Sequence, residues 1–479
     1  MKKGRKTAPR GSAKGRWLAF RISNPDHAPV GLACVRQSAE LGFKRQNWER
    51  EMTDFIFTAG SGLTRRTVLK GAATAAALLA APAVLRAESG GKIKLGAPFH
   101  RTGIGASYGR WYERTAVAAL KLINEGGGIS GMDVEMIVED DGTDPKRGTE
   151  VVEKFAAEHK VDAIFGHLFS HVVAAAGPRA GELKIPYLVC SEGHQLAGGG
   201  LNRYTFQPGI TDVKSQVASM APWISTNLGK KVAMIFPDYA FGHNHRDFFS
   251  EAIKAQGGEV SALIPIPPTE SSFTRYFPQI PADTEVLYHV MVGPAVLTFV
   301  KELGDHFGST RPQIFGFIDS LEAVDLATPQ LDYLDGTYFW EAAPRYAQAD
   351  QTAFDKFFRE KVGVDANGAS VDDPKDISTY SHMFSVWETL FVIKKAMEAA
   401  NYKGPDQKKD FIAALEAMDK FEASNEHPQG DKTFNGKTHQ VFGKQFISKV
   451  EGAKLNVVHT TSIEDGMYPD ETDYTKQEL

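Results

Sequence analysis

The sequence predicts an α/β chain built as two doubly wound lobes, and three observations carry that prediction. From Lys92 onward, runs rich in Val, Ile and Leu alternate with segments of helical apolar period, joined by short connections. The alternation occurs in two series, interrupted by the glycine-rich stretch 191–202. The strand-like runs are nearly continuous in apolar residues, which is the pattern of parallel strands covered on both faces.

The first series starts with a strand at 92–98. A helix at 106–125 follows, stopped by Gly126-Gly127-Gly128. A strand at 132–139 leads to a helix at 145–158 with Pro145 in its first turn. A strand at 161–165, a helix at 170–183 and a strand at 185–190 complete it, and a short strand is expected at 204–207. The second series has helices at 213–228, 242–255 and 294–303. Its strands are expected at 231–236, 259–264, 285–291 and 313–317. A strand at 336–341, helices at 353–361, 377–399 and 407–418, and a strand-like tail at 455–462 close the chain.

Ahead of this body lies an export pattern. Thr64-Arg65-Arg66-Thr67-Val68-Leu69-Lys70 precedes the apolar run 71–85, and Leu85-Arg86-Ala87 resembles a small-residue cleavage site. The run is too short to span a bilayer, and Pro82 interrupts it as a helix. A twin-arginine signal is therefore expected at 52–87, with Met52 as a natural start and 1–51 as a leader outside fold reasoning. The rest would then work in the periplasm, folded before export and with no membrane insertion after cleavage.

Charge narrows the partners. The whole chain carries net −5, but residues 88–479 hold 38 Lys+Arg against 54 Asp+Glu, a net −16. Such a body repels phosphate backbones and anionic head groups, which excludes nucleic acid. Of the two cysteines only Cys190 lies beyond the signal, so neither an internal disulfide nor a cysteine-based zinc site is expected.

Catalytic and cofactor motifs are weak. Gly105-Ala106-Ser107-Tyr108-Gly109 fits the G-x-S-x-G elbow of serine hydrolases, but residues 101–104 separate it from the strand that the elbow must leave directly. Gly103-x-Gly105 begins a dinucleotide fingerprint that Tyr108 breaks. His243-Asn244-His245 is closely spaced without a carboxylate at helical spacing, so no metal site is assigned there and no cofactor is expected. An exported serine or metal hydrolase is the competing class.

The strongest constellation is positional. Ligands of open α/β sheets bind beyond the carboxyl ends of the strands. Those ends carry Tyr108, then His167 to Ser170, then Ser191, Glu192, Gly193 and His194 in the first series. The second series offers Tyr239 and Phe241, Val292-Gly293 and Asp319-Ser320. Free amides at the helix start by Ser170 can receive a carboxylate. Asp319 can pair with an ammonium, and Tyr108 and Phe241 can cover an apolar body.

On these stretches, with Ile93-Lys94-Leu95-Gly96, residues 161–170 (VDAIFGHLFS), Lys231–Phe236 and residues 338–345 (YFWEAAPR), the chain resembles the type I periplasmic binding proteins of branched-chain amino acid ABC transporters. The resemblance implies two lobes joined by a three-crossover hinge: 88–211 with 343–445, and 212–342 with 446–479. It implies closure on one small-molecule ligand, an amino acid or related solute, and delivery to an inner-membrane ABC permease. It places carboxylate-binding positions at Ser170, Ser191 and Gly193, the ammonium acceptor near Asp319, and aromatic walls at Tyr108 and Phe241. Gly193 departs from a frequent threonine, Phe241 from a tyrosine, and Val292 from an aromatic. Relatives take amides, urea and aromatic acids, and His167 or His194 would help neutralise an anionic ligand of that kind. A sensor using the same fold is not separated from a transport receptor by these residues.

Overall fold

The computed structural model describes residues 91–479, and the expected leader and export signal lie outside them. The first sheet contains five parallel strands in the order β2-β1-β3-β4-β5: β1 (Ile93–Phe99), β2 (Val134–Asp140), β3 (Ala163–Gly166), β4 (Tyr187–Val189) and β5 (Thr205–Phe206). Helices α1 (Ala106–Glu125), α2 (Pro145–Lys154) and α3 (Ser170–Glu182) connect them. α2 starts where the Asp144 carboxylate accepts the Arg147 N–H at 2.8 Å, with Pro145 at its first position. The expected helix at 145–158 is α-helical only to Lys154 and continues as a wider π turn over Phe155–His159, closed by Lys160 at φ 54°. α2 and α3 pack together on one face of the sheet over Val152, Phe155, Ile164, Val173 and Tyr187.

The second sheet has seven strands in the order β15-β14-β10-β9-β8-β6-β7. Its parallel part comprises β6 (Lys231–Pro237), β7 (Glu259–Ile266), β8 (Val286–His289), β9 (Gln313–Phe317) and β10 (Tyr338–Glu341). Helices α4 (Val213–Asn227), α5 (Ala240–Ala255) and α6 (Val296–Phe307) belong to this half, α5 beginning two residues before the expected 242. An antiparallel hairpin, β14 (Phe446–Glu451) and β15 (Lys454–Thr460), extends its edge.

Between β10 and β14 the chain returns to the first half. There it forms α7 (Ala353–Val362), α8 (Tyr380–Ala399), α9 (Lys408–Glu416) and a small antiparallel sheet of β11 (Lys420–Phe421), β12 (Lys432–Asn435) and β13 (Gln440–Gly443). α8 is buried without interruption from Tyr380 to Ile393. It packs against α1, where the Trp111 indole donates to the Ile377 carbonyl at 3.1 Å. It starts at Tyr380 instead of the expected 377 because Ile377 pairs with Ala369 and the Ser378 N–H bonds Gly368 O. The chain therefore passes three times between two doubly wound lobes. Among the described residues no helix is long and apolar enough to cross a membrane.

Candidate functional site

Each sheet reverses its strand order once: β1 lies beside β3, and β6 beside β8. At such points consecutive connections leave on opposite faces, and a crevice opens at the carboxyl ends of the strands. The residues following those strands meet in the structure. Tyr108 comes from the first turn of α1, Phe169 and Ser170 from the β3–α3 junction, and Glu192 from beyond β4. Tyr239 and Phe241 come from the start of α5, Val292 from beyond β8, and Asp319 from beyond β9. Together they line a cavity of about 10 Å³, the room one water molecule needs. The structure is thus a closed form, with the two lobes' walls almost touching.

The first wall is built to receive an anion. No side chain caps the N-terminus of α3; the Val172 N–H turns back to the Phe169 carbonyl at 2.9 Å, which leaves the N–H groups of Ser170 and His171 without partners within the helix. Ser170 Oγ lies 3.3 Å from Ser191 Oγ, which also accepts the Gly193 N–H at 3.3 Å. The absence of a threonine at 193 has a steric reason. A Cβ there would overlap Gln195 Oε1 and lie 2.7 Å from Ser170 Oγ.

The opposite side is a buried charge cluster centred on His382 of α8. Its Nε2 is 3.1 Å from Glu192 Oε2 and 3.0 Å from Asp319 Oδ1, and its Nδ1 is 3.1 Å from Glu322 Oε1. The Asp319 approach is an ion-pair distance without hydrogen-bond alignment, so Oδ1 has no hydrogen-bond partner. Glu192 Oε1 accepts from the Gln216 amide at 2.8 Å. Burial opposes a charged imidazole here, yet Asp319 and Glu192 outweigh it and hold His382 well above the usual histidine range. Burial pushes the Glu192 and Glu322 carboxyls up, against the pull of His382. The Tyr108 ring meets the His382 ring edge to face at 5.4 Å, and its buried hydroxyl has no partner. Glu192, Asp319 and His382 each offer a donor atom within 4.8 Å of the others, a set able to hold a cation.

Tyr108, Ser170, Phe241 and Asp319, all expected from the sequence, line the cavity, and Ser191 and Gly193 stand behind Ser170. His167 and His194 do not line it. His167 is buried inside the first lobe, its Nδ1 on the Tyr187 hydroxyl and its Nε2 3.2 Å from Asp141 Oδ2, a carboxylate shared with His100. His194 bridges Asp212 at 2.6 Å and Glu471 at 3.1 Å. Neither is therefore placed to neutralise a ligand in this closed form.

His243 and His245 also diverge. His243 pairs with Asp238 at 2.8 Å, while buried His245 meets the Tyr288 hydroxyl at 2.9 Å and is pushed down to about 3 by burial. Ser107 sits in the first turn of α1, and no histidine hydrogen-bonds it among the described residues. His382 and Glu322 are absent from the sequence-derived set. Their signal is weak: a histidine within the apolar stretch Tyr380–Ile393, nearly two hundred residues from its partner Glu192.

Residues 92–454 match the sequence profile of the family described as periplasmic binding protein. Leu/Ile/Val-binding protein homolog 1 of Brucella abortus is 34% identical over 112 residues, 23% of this chain and 29% of that protein. The chain thus matches less than a third of the length of that relative. The amino acid binding protein of Pseudomonas aeruginosa is 26% identical over 273 residues, 55% of this chain and 71% of that protein.

Among solved structures, a solute binding protein of an ABC transporter from Rhodopseudomonas palustris BisB5, in complex with 3,4-dihydroxybenzoic acid, superposes with TM-score 0.66. It is 20% identical over 78% of this chain and 98% of that one. The branched-chain amino acid transporter substrate binding protein LivJ from Streptococcus pneumoniae, in complex with isoleucine, gives TM-score 0.62. It is 19% identical over 78% and 99%. At such identities the likeness speaks for the fold.

Proposed function

We propose, from the premise that this chain belongs to the periplasmic binding protein family, that it is a solute receptor of an ABC importer whose lobes close on a small carboxylate-bearing solute. The family's description as periplasmic binding protein supports a substrate-binding role in the periplasm. Export through a twin-arginine signal at 52–87 and docking on an inner-membrane permease belong to the proposal. So do lobe boundaries near 211/212, 342/343 and 445/446.

The observation that carries the reading is the closed cleft. A cavity of about 10 Å³ between aromatic walls, with serine hydroxyls and an open helix N-terminus on one side and Asp319 on the other, admits no solute until the lobes part. A solute shifts that equilibrium only by binding one state better than the other. The serines and the helix end receive its carboxylate, while Tyr108, Phe169, Tyr239 and Phe241 cover its body.

Two solute classes compete, and one contact separates them. An amino acid would bring its ammonium to Asp319. Asp319 already faces His382 at 3.0 Å, which favours a carboxylate without an amine, such as an aromatic acid. Thermal-shift screening of the purified protein against amino acids, amides, urea and aromatic acids, followed by calorimetry and small-angle scattering of the hits, tests the proposal. One-to-one binding of an unchanged solute is expected. Turnover of the solute, or no stabilisation by any member of the panel, would overturn the receptor reading.

A further inference from the structure

We infer that Glu192, Asp319 and His382 form a binding site for one divalent transition-metal ion inside the cleft. The inference rests on the cleft being the solute site and adds a cation to what it takes. Three side chains supply one imidazole nitrogen and two carboxylate oxygens, all within 4.8 Å of one another. Nε2 lies 3.1 Å from Glu192 Oε2 and 3.0 Å from Asp319 Oδ1. Donors about 2.0–2.2 Å from a common ion stand roughly 3.4 Å apart at tetrahedral angles. The two pairs made by His382 stand within a few tenths of an ångström of that spacing, and the two carboxylate oxygens lie within 4.8 Å of each other.

The surroundings are arranged as outer shells of metal sites are. A ligating histidine characteristically gives its second nitrogen to a carboxylate, which fixes the ring and raises its basicity. Here His382 Nδ1 meets Glu322 Oε1 at 3.1 Å, aiming Nε2 at the other two donors. The Gln216 amide holds Glu192 Oε1 at 2.8 Å and leaves Oε2 facing inward.

Unpartnered groups point the same way. Asp319 is 8% exposed and its Oδ1 has no hydrogen-bond partner. The Tyr108 hydroxyl, on a residue 2% exposed and lining the same cavity, also has none. A buried hydroxyl left without a partner is costly, and a cation's bound water or carboxylate would relieve it, while Asp319 Oδ1 keeps only its ion-pair approach to His382.

The donor chemistry narrows the ion. An imidazole with carboxylates suits zinc, manganese, iron, cobalt or nickel. Calcium and magnesium prefer all-oxygen sets, and copper(I) prefers sulfur. Glu192 and His382 belong to the first lobe and Asp319 follows β9 of the second, so the ion ties the lobes together. Positions left open on it are available to the solute's carboxylate.

The test is titration of chelator-stripped protein with Co²⁺, followed by visible absorption, and with Zn²⁺ and Mn²⁺ by calorimetry. One equivalent is expected to bind. Asp319→Asn and His382→Gln should each weaken binding by more than the about 10–100-fold that loss of the outer carboxylate in Glu322→Gln should cost. His243→Gln should change nothing. Should His382→Gln fail to fold, Asp319→Asn and Glu322→Gln carry the test. Absence of saturable uptake, or uptake unchanged in Asp319→Asn, overturns the inference and leaves an ion-paired cluster. Running the solute screen with and without chelator separates the two readings. Solute binding without cation uptake overturns the metal site alone. One equivalent of cation with no solute binding overturns the organic-solute reading alone.

Discussion

Gly193→Ala tests whether the first wall works through Ser170. The added Cβ would overlap Gln195 Oε1 and lie 2.7 Å from Ser170 Oγ. The Gln195 amide is the far end of a flexible side chain and can swing aside at little cost. Ser170 must give at both Oγ and Cβ, the latter 2.8 Å from the added Cβ, so the start of α3 shifts and the hydroxyl moves away from Ser191, 3.3 Å distant. Losing that neutral hydrogen bond costs about 0.5–1.5 kcal/mol of stability. Losing the hydroxyl's bond to a solute carboxylate costs about 1.5–3 kcal/mol, or about 10- to 100-fold in Kd. Calorimetry on the best solute of the panel should therefore show Gly193→Ala and Ser170→Ala weakened alike. In the Ser170→Ala background, Gly193→Ala should add less than its loss in the wild type, because the hydroxyl contact is already gone and only the approach of the new Cβ to the Cβ at 170, 2.8 Å, remains. Wild-type affinity in Gly193→Ala, or a full additional loss in the double variant, would refute the reasoning.

Three further outcomes are expected. Gly109→Ala places a Cβ 2.5 Å from the His100 carbonyl carbon, backbone held by β1, so α1 must lift; chemical denaturation should show a loss of about 1–3 kcal/mol or more. Burial pushes the Glu341 carboxyl up to about 7. Its neutral form is then favoured in the folded chain, so its contribution is complete below the unfolded value and fades as pH rises through about 7. Glu341→Gln should flatten the fall in Tm between pH 5 and 8, a difference of about 3 kcal/mol at most. Glu388→Ala strands the buried Lys432 ammonium that pairs with it, and should destabilise by about 3–5 kcal/mol, much of it recovered on adding Lys432→Met.

The parallel strands are legible in the sequence because each is a short apolar run next to a helix of clear period, as in β6 and α5. The antiparallel additions are not. The β14–β15 turn is the two-residue loop Gly452-Ala453, at φ 58° and 61°. Hairpin turns of this kind normally announce themselves by Asn-Gly or Gly-Gly, and alanine in a left-handed conformation hides this one. β11 has two residues and β12 and β13 four each, too few for a period to emerge. The π turn after α2 has no sequence signal apart from its end, since Phe155–His159 continues the apolar pattern and only Lys160 at φ 54° breaks it.

The site divides along the same line between local and distant information. Tyr108, Ser170, Phe241 and Asp319 each follow a parallel strand, so the rule that ligands sit beyond strand carboxyl ends finds them one at a time. His382 obeys no such rule: it stands in the first turn of α8, reached only after the chain has crossed between the lobes twice. Its placement changes what Asp319 means. An acid beyond β9 with no neighbour calls for an ammonium. The same acid 3.0 Å from an imidazole, with Glu192 and Glu322 on the ring's other contacts, calls for a proton or a metal ion on Nε2 and frees the solute from carrying an amine. Asp319→Asn distinguishes these roles in one variant. If an ammonium is the partner, amino-acid binding fails while cation uptake is absent throughout. If Nε2 holds a metal ion, cation uptake fails and the solutes that survive chelation lack an amine.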